Sequence, residues 1–459
     1  MNTVLVALGY GDEGKGAWCE FYAETEDAPL SIRYNGGCQG VHYTHMNNQV
    51  YGSTQYSASS WRRLTQTTVI GPSVLISPTA LLREANALAQ FGMKNPLDKL
   101  VVTPQSPLLL PAHYYVRSTR AHFGRLGKST TGVGVGELMD DISTGAPVLT
   151  VGDLFDDNWQ LKIAEVEEFQ FSKLRSYLCD NIEQVNQGIA KFRLDMPLDE
   201  AIIACQQLAS KANVAEVSEI PSRYLCQDAI FDPAQATLID RSYGFQPDVT
   251  SVDTTVKPAF ELLPISNSRY VGLIRAYNAR HGRGFFATKC SELSRVREDN
   301  GFQDYMGCPA YGWLDMVVLR YAISVNDNII WDRTNGLSVI DYLAVSCLDQ
   351  LSGLPSMKIC YGYQHSLDPT DRCYFEFDDN DLIRSIKPGY DMQKVTQLLS
   401  DITPIYEVLP GWLDDIAKVK HYHGLPRNAQ LYLKRIGVLA DKDIGMVSVG
   451  PTLEQRFPV

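Results

Sequence analysis

Val4-Leu5-Val6-Ala7-Leu8-Gly9-Tyr10-Gly11-Asp12-Glu13-Gly14-Lys15-Gly16 is an apolar run followed by a glycine-rich turn. The run reads as a buried strand. A strand, a glycine turn and then a helix is how a chain builds a cradle for phosphate. Glycine lets the backbone approach closely, and the helix N-terminus presents N–H groups and positive potential to an anion. Lys15 supplies a point charge for phosphate oxygens. Asp12 is unexpected beside phosphates, because its carboxylate is repelled unless a cation or a proton transfer uses it. It therefore points to Mg²⁺ ligation, general-base work, or both. The Walker pattern, with four residues between its glycines and then Gly-Lys-Ser/Thr, does not fit, since Gly16 and Ala17 follow Lys15.

Outward from this turn, short apolar segments alternate with helical patterns. Ala80 to Ala89 has helical period and composition, and Pro78 suits its start. Lys99-Leu100-Val101-Val102-Thr103 reads as the next strand, and Val271 to Tyr277 as another. The stretch from Gly424-Leu425-Pro426 to Ile436 reads as a helix, and Met446 to Pro451 as a final strand and turn. Such alternation predicts an α/β fold with a large, mainly parallel central sheet flanked by helices. Ligands in such sheets bind at the carboxyl ends of the strands, where the Asp12 turn falls. Asp156 to Val217 reads as helical and acidic, a surface subdomain spanning about residues 155–230. Residues 365–402, with Asp378-Asp379-Asn380-Asp381, read as an exposed loop and helix rather than a metal site. There is no internal repeat or linker, so residues 1–459 are expected to form one integrated domain.

Composition sets limits. A net charge of −12 argues against nucleic-acid binding by field alone. No apolar run is long enough to cross a membrane, and the chain opens directly into a strand without a signal-peptide pattern. The 10 cysteines lack Cys-x-x-Cys spacing, which fits reduced thiols in the cytoplasm. Cys38 and Cys347 read as small buried hydrophobes. The pair His42 and His45 has no metal-site spacing.

Further segments join the first turn: Arg33-Tyr34-Asn35-Gly36-Gly37, His42-Tyr43-Thr44, Val69-Ile70-Gly71-Pro72 and Thr130-Thr131-Gly132. Others are Ala234 to Asp240, Val249-Thr250-Ser251, Gly312-Trp313-Leu314-Asp315, Pro404 to Glu407, Pro410-Gly411-Trp412 and Gly450-Pro451. Taken in order, they resemble the adenylosuccinate synthetase family along nearly the whole chain, most weakly over about 155–230. The resemblance implies that family's fold, related to the P-loop NTPases. It also implies its chemistry, in which GTP drives the joining of a purine 6-oxo group to aspartate.

The resemblance implies roles residue by residue. Asp12 takes the purine ring proton and ligates Mg²⁺, with the carbonyl of Val41 as a second metal ligand. His42 stabilises the phosphoryl group in transfer. Lys15 holds phosphates, with Gly11, Gly14 and Gly16 around the triphosphate. Gln39, Thr131, Gln235 and Thr250 hold the purine monophosphate. Asp349 accepts hydrogen bonds from guanine, and Ser448, Gly450 and Pro451 line the base pocket. Mg²⁺ and GTP or ATP are the implied cofactor and co-substrate, with a cytoplasmic homodimer and neither nucleic acid nor membrane as partner.

The departures are local. The family's aspartate loop is rich in arginine, but Asp304-Tyr305-Met306-Gly307-Cys308-Pro309-Ala310-Tyr311 has none. Val133 stands where an arginine follows Thr-Thr-Gly, Cys347 replaces the base-stacking lysine, and Gln39 replaces an asparagine. Asp140 to Pro147 holds no counterpart of the arginine that reaches the partner subunit's nucleotide. Arg280 and Arg283 are the nearest basic candidates to compensate, with a surface ion pair as the alternative for each. The amine is therefore left as aspartate or another amine, and the purine monophosphate as IMP, GMP or dGMP. A phage branch of the family works on deoxyguanylate. A second reading keeps the fold as a nucleotide-binding regulatory protein that has lost aspartate ligation.

Overall fold

The structure, a computed structural model, describes all residues except 128, 225–227, 263–267, 295, 297–301 and 330–337. Residues 225–227 of the expected helical subdomain thus lie outside the described residues. Ten strands form the central sheet. Edge to edge they are Arg456–Pro458, Ile444–Ser448, Tyr342–Ser346, Ser268–Arg275, Asn2–Ala7, Ala229–Asp232, Leu30–Arg33, Thr67–Ile70, Leu100–Val102 and Asn213–Val214. All neighbours run parallel except the Arg456–Pro458 edge, which is antiparallel to Ile444–Ser448. The α/β class expected from the sequence is the class observed.

The first strand shows why its sequence is continuously apolar. Val4 and Val6 join the core on one face, with Tyr34 and Phe231. Leu5 points to the other face, among Trp18, Cys19 and Tyr22 of the helix Lys15–Thr25. A parallel sheet covered on both faces favours a near-continuous apolar run, with the buried Thr3 hydroxyl satisfied by donating to Glu26. The helix Pro78–Phe91 begins as its composition predicts, since Ser77 caps it by accepting from Ala80 N–H and Pro78 occupies its first turn.

Residues 365–402 differ from the expected loop and helix. They contain the strands Phe375–Phe377 and Ile383–Ile386 of a second, five-stranded sheet, before the helix Met392–Leu398. The acidic run is the turn between those strands, where Asp378 Oδ1 accepts from the N–H groups of Asn380 and Leu382 at 3.0 and 2.9 Å. The helices Trp159–Tyr177, Ile182–Arg193 and Leu198–Lys211 expose Glu165 and Glu168 while burying Val166, Leu174, Val185 and Leu208.

Candidate functional site

Loops that leave the carboxyl ends of the central strands meet in two cavities. The first is lined by Gln39, Thr130, Thr131, Gln235 and Thr250, together with Arg117 and His281. The second is lined by Trp18, Arg275, Cys347, Asp349, Ser448, Gly450, Pro451 and Arg456. Gly11, Asp12, Lys15, Val41, His42 and Tyr43 line both, so the two cavities share a wall. Every site residue expected from the sequence lines one or both cavities, Gly14 and Gly16 belonging to the second.

The glycine turn has a packing cause. Gly14 adopts φ 74° at the start of the helix Lys15–Thr25. A Cβ on Gly16 would lie 2.9 Å from His42 Cβ and 3.0 Å from the Tyr43 backbone. Only glycine lets the helix come this close to the strand carrying His42. Glu13 ties the turn together. Its Oε1 accepts from Gly11 N–H at 2.8 Å and its Oε2 lies 3.2 Å from Lys15 Nζ. Lys15 also donates to the Gly11 carbonyl. Ser346, from a central strand, donates to the Glu13 carbonyl at 2.8 Å and accepts from Trp18 Nε1 at 2.7 Å.

Asp12 faces His281, whose Nε2 is 2.9 Å from Asp12 Oδ2. Burial alone would raise the Asp12 carboxyl. The His281 hydrogen bond and the charges of Arg275 and Lys15 outweigh it and hold the group below the usual carboxylate range. His42 is backed by a buried network. Its Nδ1 lies 2.8 Å from Arg33 Nη1 and 3.0 Å from Asp232 Oδ1, while Arg33 Nη1 lies 3.1 Å from Asp232 Oδ2. Burial, only partly opposed by Asp232, pushes the ring down to about 4. Nδ1 thus faces both a donor, the Arg33 guanidinium, and an acceptor, the Asp232 carboxylate, and each tautomer of the neutral ring satisfies one of them. Nε2 is buried without a hydrogen-bond partner among the described residues.

Gln39 carries both side-chain amide atoms buried and without a hydrogen bond among the described residues. Gln235 sits at φ 60° in the loop after the strand Ala229–Asp232. Asp349 is flanked by Cys347, which is half-buried at φ 61° rather than fully buried. Arg275 Nη2 meets the Cys347 sulfur at 3.2 Å. Cys38 is likewise only half-buried. Arg280 is buried and donates to the carbonyls of Asp248, Arg283 and Phe285 at 2.7, 3.0 and 3.4 Å. Arg283 is exposed and donates to the Gly127 carbonyl at 2.9 Å. Neither makes an ion pair with a carboxylate among the described residues, so the surface-pair alternative does not describe them.

Glu13, Arg33, Asp232, His281, Arg117 and Arg456 were not assigned roles from sequence. Arg33 and Asp232 carried a usable signal. Each ends an apolar strand with a charge, Leu30-Ser31-Ile32-Arg33 and Ala229-Ile230-Phe231-Asp232. A charge at the carboxyl end of a buried strand points at the ligand edge of a parallel sheet.

The molecule is thus a parallel α/β protein with two cavities that share a wall at its strand ends. Residues 4–457 match the family model described as adenylosuccinate synthetase. The adenylosuccinate synthetase of Pelotomaculum thermopropionicum is 30% identical over 472 residues, covering 99% of this chain and 98% of that protein. That of Desulforamulus reducens is 29% identical over 471 residues, covering 99% and 98%. The fully ligated adenylosuccinate synthetase of Plasmodium falciparum has a TM-score of 0.78 at 21% identity, covering 100% of this chain and 99% of that one. Cyanophage S-2L succinoaminodeoxyadenylate synthetase, bound to dGMP and to dATP as an energy donor, has a TM-score of 0.57 at 12% identity, with coverages of 99% and 94%. The chain belongs to the adenylosuccinate synthetase family. It is a purine nucleotide ligase, in which a nucleoside triphosphate drives the joining of a purine monophosphate to an amine. Nothing favours the reading as a regulatory protein. No helix among the described residues is long and apolar enough to cross a membrane.

Proposed function

We propose that the first cavity takes the purine monophosphate, the second takes the triphosphate, and the shared wall carries the phosphoryl transfer between them. The observation that carries this is the wall itself, where Asp12, Lys15 and His42 face both cavities. Asp12, held ionised at neutral pH, takes the proton from the purine ring nitrogen. The charge this leaves on the 6-oxygen makes it a nucleophile toward the γ-phosphorus. As the new O–P bond forms, the β–γ bond breaks and the nucleoside diphosphate leaves. The amine then attacks C6, and the 6-oxygen departs with inorganic phosphate.

His42 donates from Nε2 to the transferring oxygens, and Asp232 steadies the ring when that charge develops. Lys15 exchanges its contacts with Glu13 and Gly11 for phosphate oxygens. Gln39, Thr131, Gln235 and Thr250 hold the monophosphate. Asp349, Ser448, Gly450 and Pro451 hold the triphosphate base, with Gly11, Gly14 and Gly16 around its phosphates.

The Asp12 carboxylate and the Val41 carbonyl are oxygen donors on the shared wall, which is the donor chemistry that suits Mg²⁺. No cluster of three or more His, Cys, Asp or Glu side chains that could hold a metal occurs among the described residues, so phosphates and water would complete the ligand set. When bound, Mg²⁺ neutralises phosphate charge.

GTP is the triphosphate that Asp349 favours. Aspartate is the default amine and IMP the default purine, with GMP and dGMP as the other candidates. The reading includes a cytoplasmic homodimer, and one integrated domain that includes the helices between about 155 and 230. The test uses purine monophosphate labelled with ¹⁸O at the 6-position. Labelled inorganic phosphate is the expected result, and unlabelled phosphate throughout would overturn the proposed transfer.

A further inference from the structure

Arg117 lies within the helix Pro111–His122, in a sequence that gives no hint of a ligand. It is 7% exposed, yet it lines the first cavity. A buried guanidinium is costly unless it is closely paired, and here the pairing is shared. Its Nη1 is 3.5 Å from Glu137 Oε1, an oxygen that Arg120 Nη1 already holds at 2.6 Å. Lys173 Nζ lies 3.3 Å from the other oxygen of Glu137. Arg117 is thus the most loosely held of three cations on one carboxylate. Its other contact is a hydrogen bond from Nε to Thr130 Oγ1 at 3.1 Å.

The surroundings are built for an anion. Thr130 Oγ1 also accepts from Gly132 N–H at 3.1 Å, which shapes the loop toward Arg117. The helix Val135–Thr144 then starts at Gly134 with no side-chain cap. A Cβ on Gly136 would lie 3.2 Å from Ser251 Oγ and 3.4 Å from Arg117 Cζ, so this helix start, Ser251 and the guanidinium converge.

Arg117 lines the first cavity only, away from the shared wall. A purine monophosphate with its 6-oxygen at that wall carries its phosphate elsewhere in the same cavity. We propose that Arg117 takes the 5′-phosphate of the purine monophosphate, completing from within this chain a cradle with Thr130, Thr131 and Ser251. Arginine suits this role because its fork matches phosphate oxygens bidentately. The inference rests on the purine nucleotide reading above and adds the residue that separates a nucleotide from its nucleoside.

The test is calorimetric binding of IMP, GMP, dGMP and their nucleosides to wild type, Arg117→Gln and Arg117→Lys, without triphosphate or amine. Arg117→Gln is expected to lose at least about tenfold in affinity for the monophosphate that wild type binds, since one charge-assisted bond is removed. Nucleoside affinity is expected to stay the same. Glu137 keeps Arg120 and Lys173 in this variant, so the fold has a means of surviving. Where Arg117→Gln does not fold, Arg117→Lys decides by the same comparison, since it keeps the charge and loses the fork. Unchanged monophosphate affinity in a folded variant overturns the inference. A wild type that binds no purine monophosphate overturns the functional reading as well, which separates the two failures.

Discussion

His281 Nε2 lies 2.9 Å from Asp12 Oδ2, joining the turn after the central strand Asn2–Ala7 to the residue that follows the short strand Asn278–Arg280, which comes next after the neighbouring central strand Ser268–Arg275. The sequence marks Asp12 as a base, and the fold supplies a neighbour that lowers its proton affinity. Burial works the other way, so removing the neighbour has a definite sign. His281→Ala is expected to raise the Asp12 pKa. The acid limb of the pH profile of kcat/KM then moves to higher pH. An acid limb that stays in place, or moves down, contradicts this account of Asp12.

Arg33 and Asp232 are both fully buried and hold each other and His42. Asp232→Asn leaves Arg33 without its counter-charge, which costs about 3–5 kcal/mol where a buried pair is broken. Thermal or denaturant unfolding reads that loss. Turnover is expected to fall with it, because His42 loses the carboxylate that steadies it.

His42 also fixes a pH dependence of stability. Its ring titrates at about 4 in the folded chain against an ordinary value of 6.5. The unfolded chain therefore takes up a proton here first as pH falls. The contribution is fully present above about 6.5 and is lost progressively toward 4. Asp232 is lowered to about 2 from an ordinary 3.8, so its contribution disappears only below that range. His42→Gln is expected to flatten the stability curve between pH 6.5 and 4 while leaving the more acidic loss. Parallel curves for variant and wild type across that interval would contradict it.

Asp349 lines the second cavity with its Oδ2 accepting from Gln350 Nε2 at 2.9 Å. A carboxylate there accepts from the ring N–H and amino group of guanine, whereas adenine offers no such pair. Asp349→Ala is expected to lower kcat/KM for GTP by roughly 10–100-fold, the worth of a hydrogen bond to a charged group. The KM for the purine monophosphate should not move. Equal losses for GTP and ATP would remove Asp349 from base selection.

The strand Asn2–Ala7, the Gly11–Gly16 turn and the helix Pro78–Phe91 were legible because local rules determine them. A run buried on both faces is mostly apolar, and a proline in the first turn suits a helix start. The strands Phe375–Phe377 and Ile383–Ile386 were not legible. They are short, and the acidic turn between them resembles solvated loop until its backbone hydrogen bonds are seen. The segment His281-Gly282-Arg283-Gly284 reads as a loop beside the nucleotide, but the pairing of His281 with Asp12 and the place of Arg117 were opaque for another reason. Asp12 and His281 lie far apart in sequence and meet only through strand pairing. Arg117 gains its meaning when the Thr130 to Gly136 loop folds over its helix.

The most direct test of the central claim combines purified protein and Mg²⁺ with GTP or ATP, each with IMP, GMP or dGMP, with and without aspartate. Phosphate release is followed alongside product mass. The account predicts phosphate release that requires a purine monophosphate, with a succinyl-purine nucleotide appearing when aspartate is present. Triphosphate turnover that is indifferent to the purine, or absent with every pairing while both nucleotides bind, would contradict it.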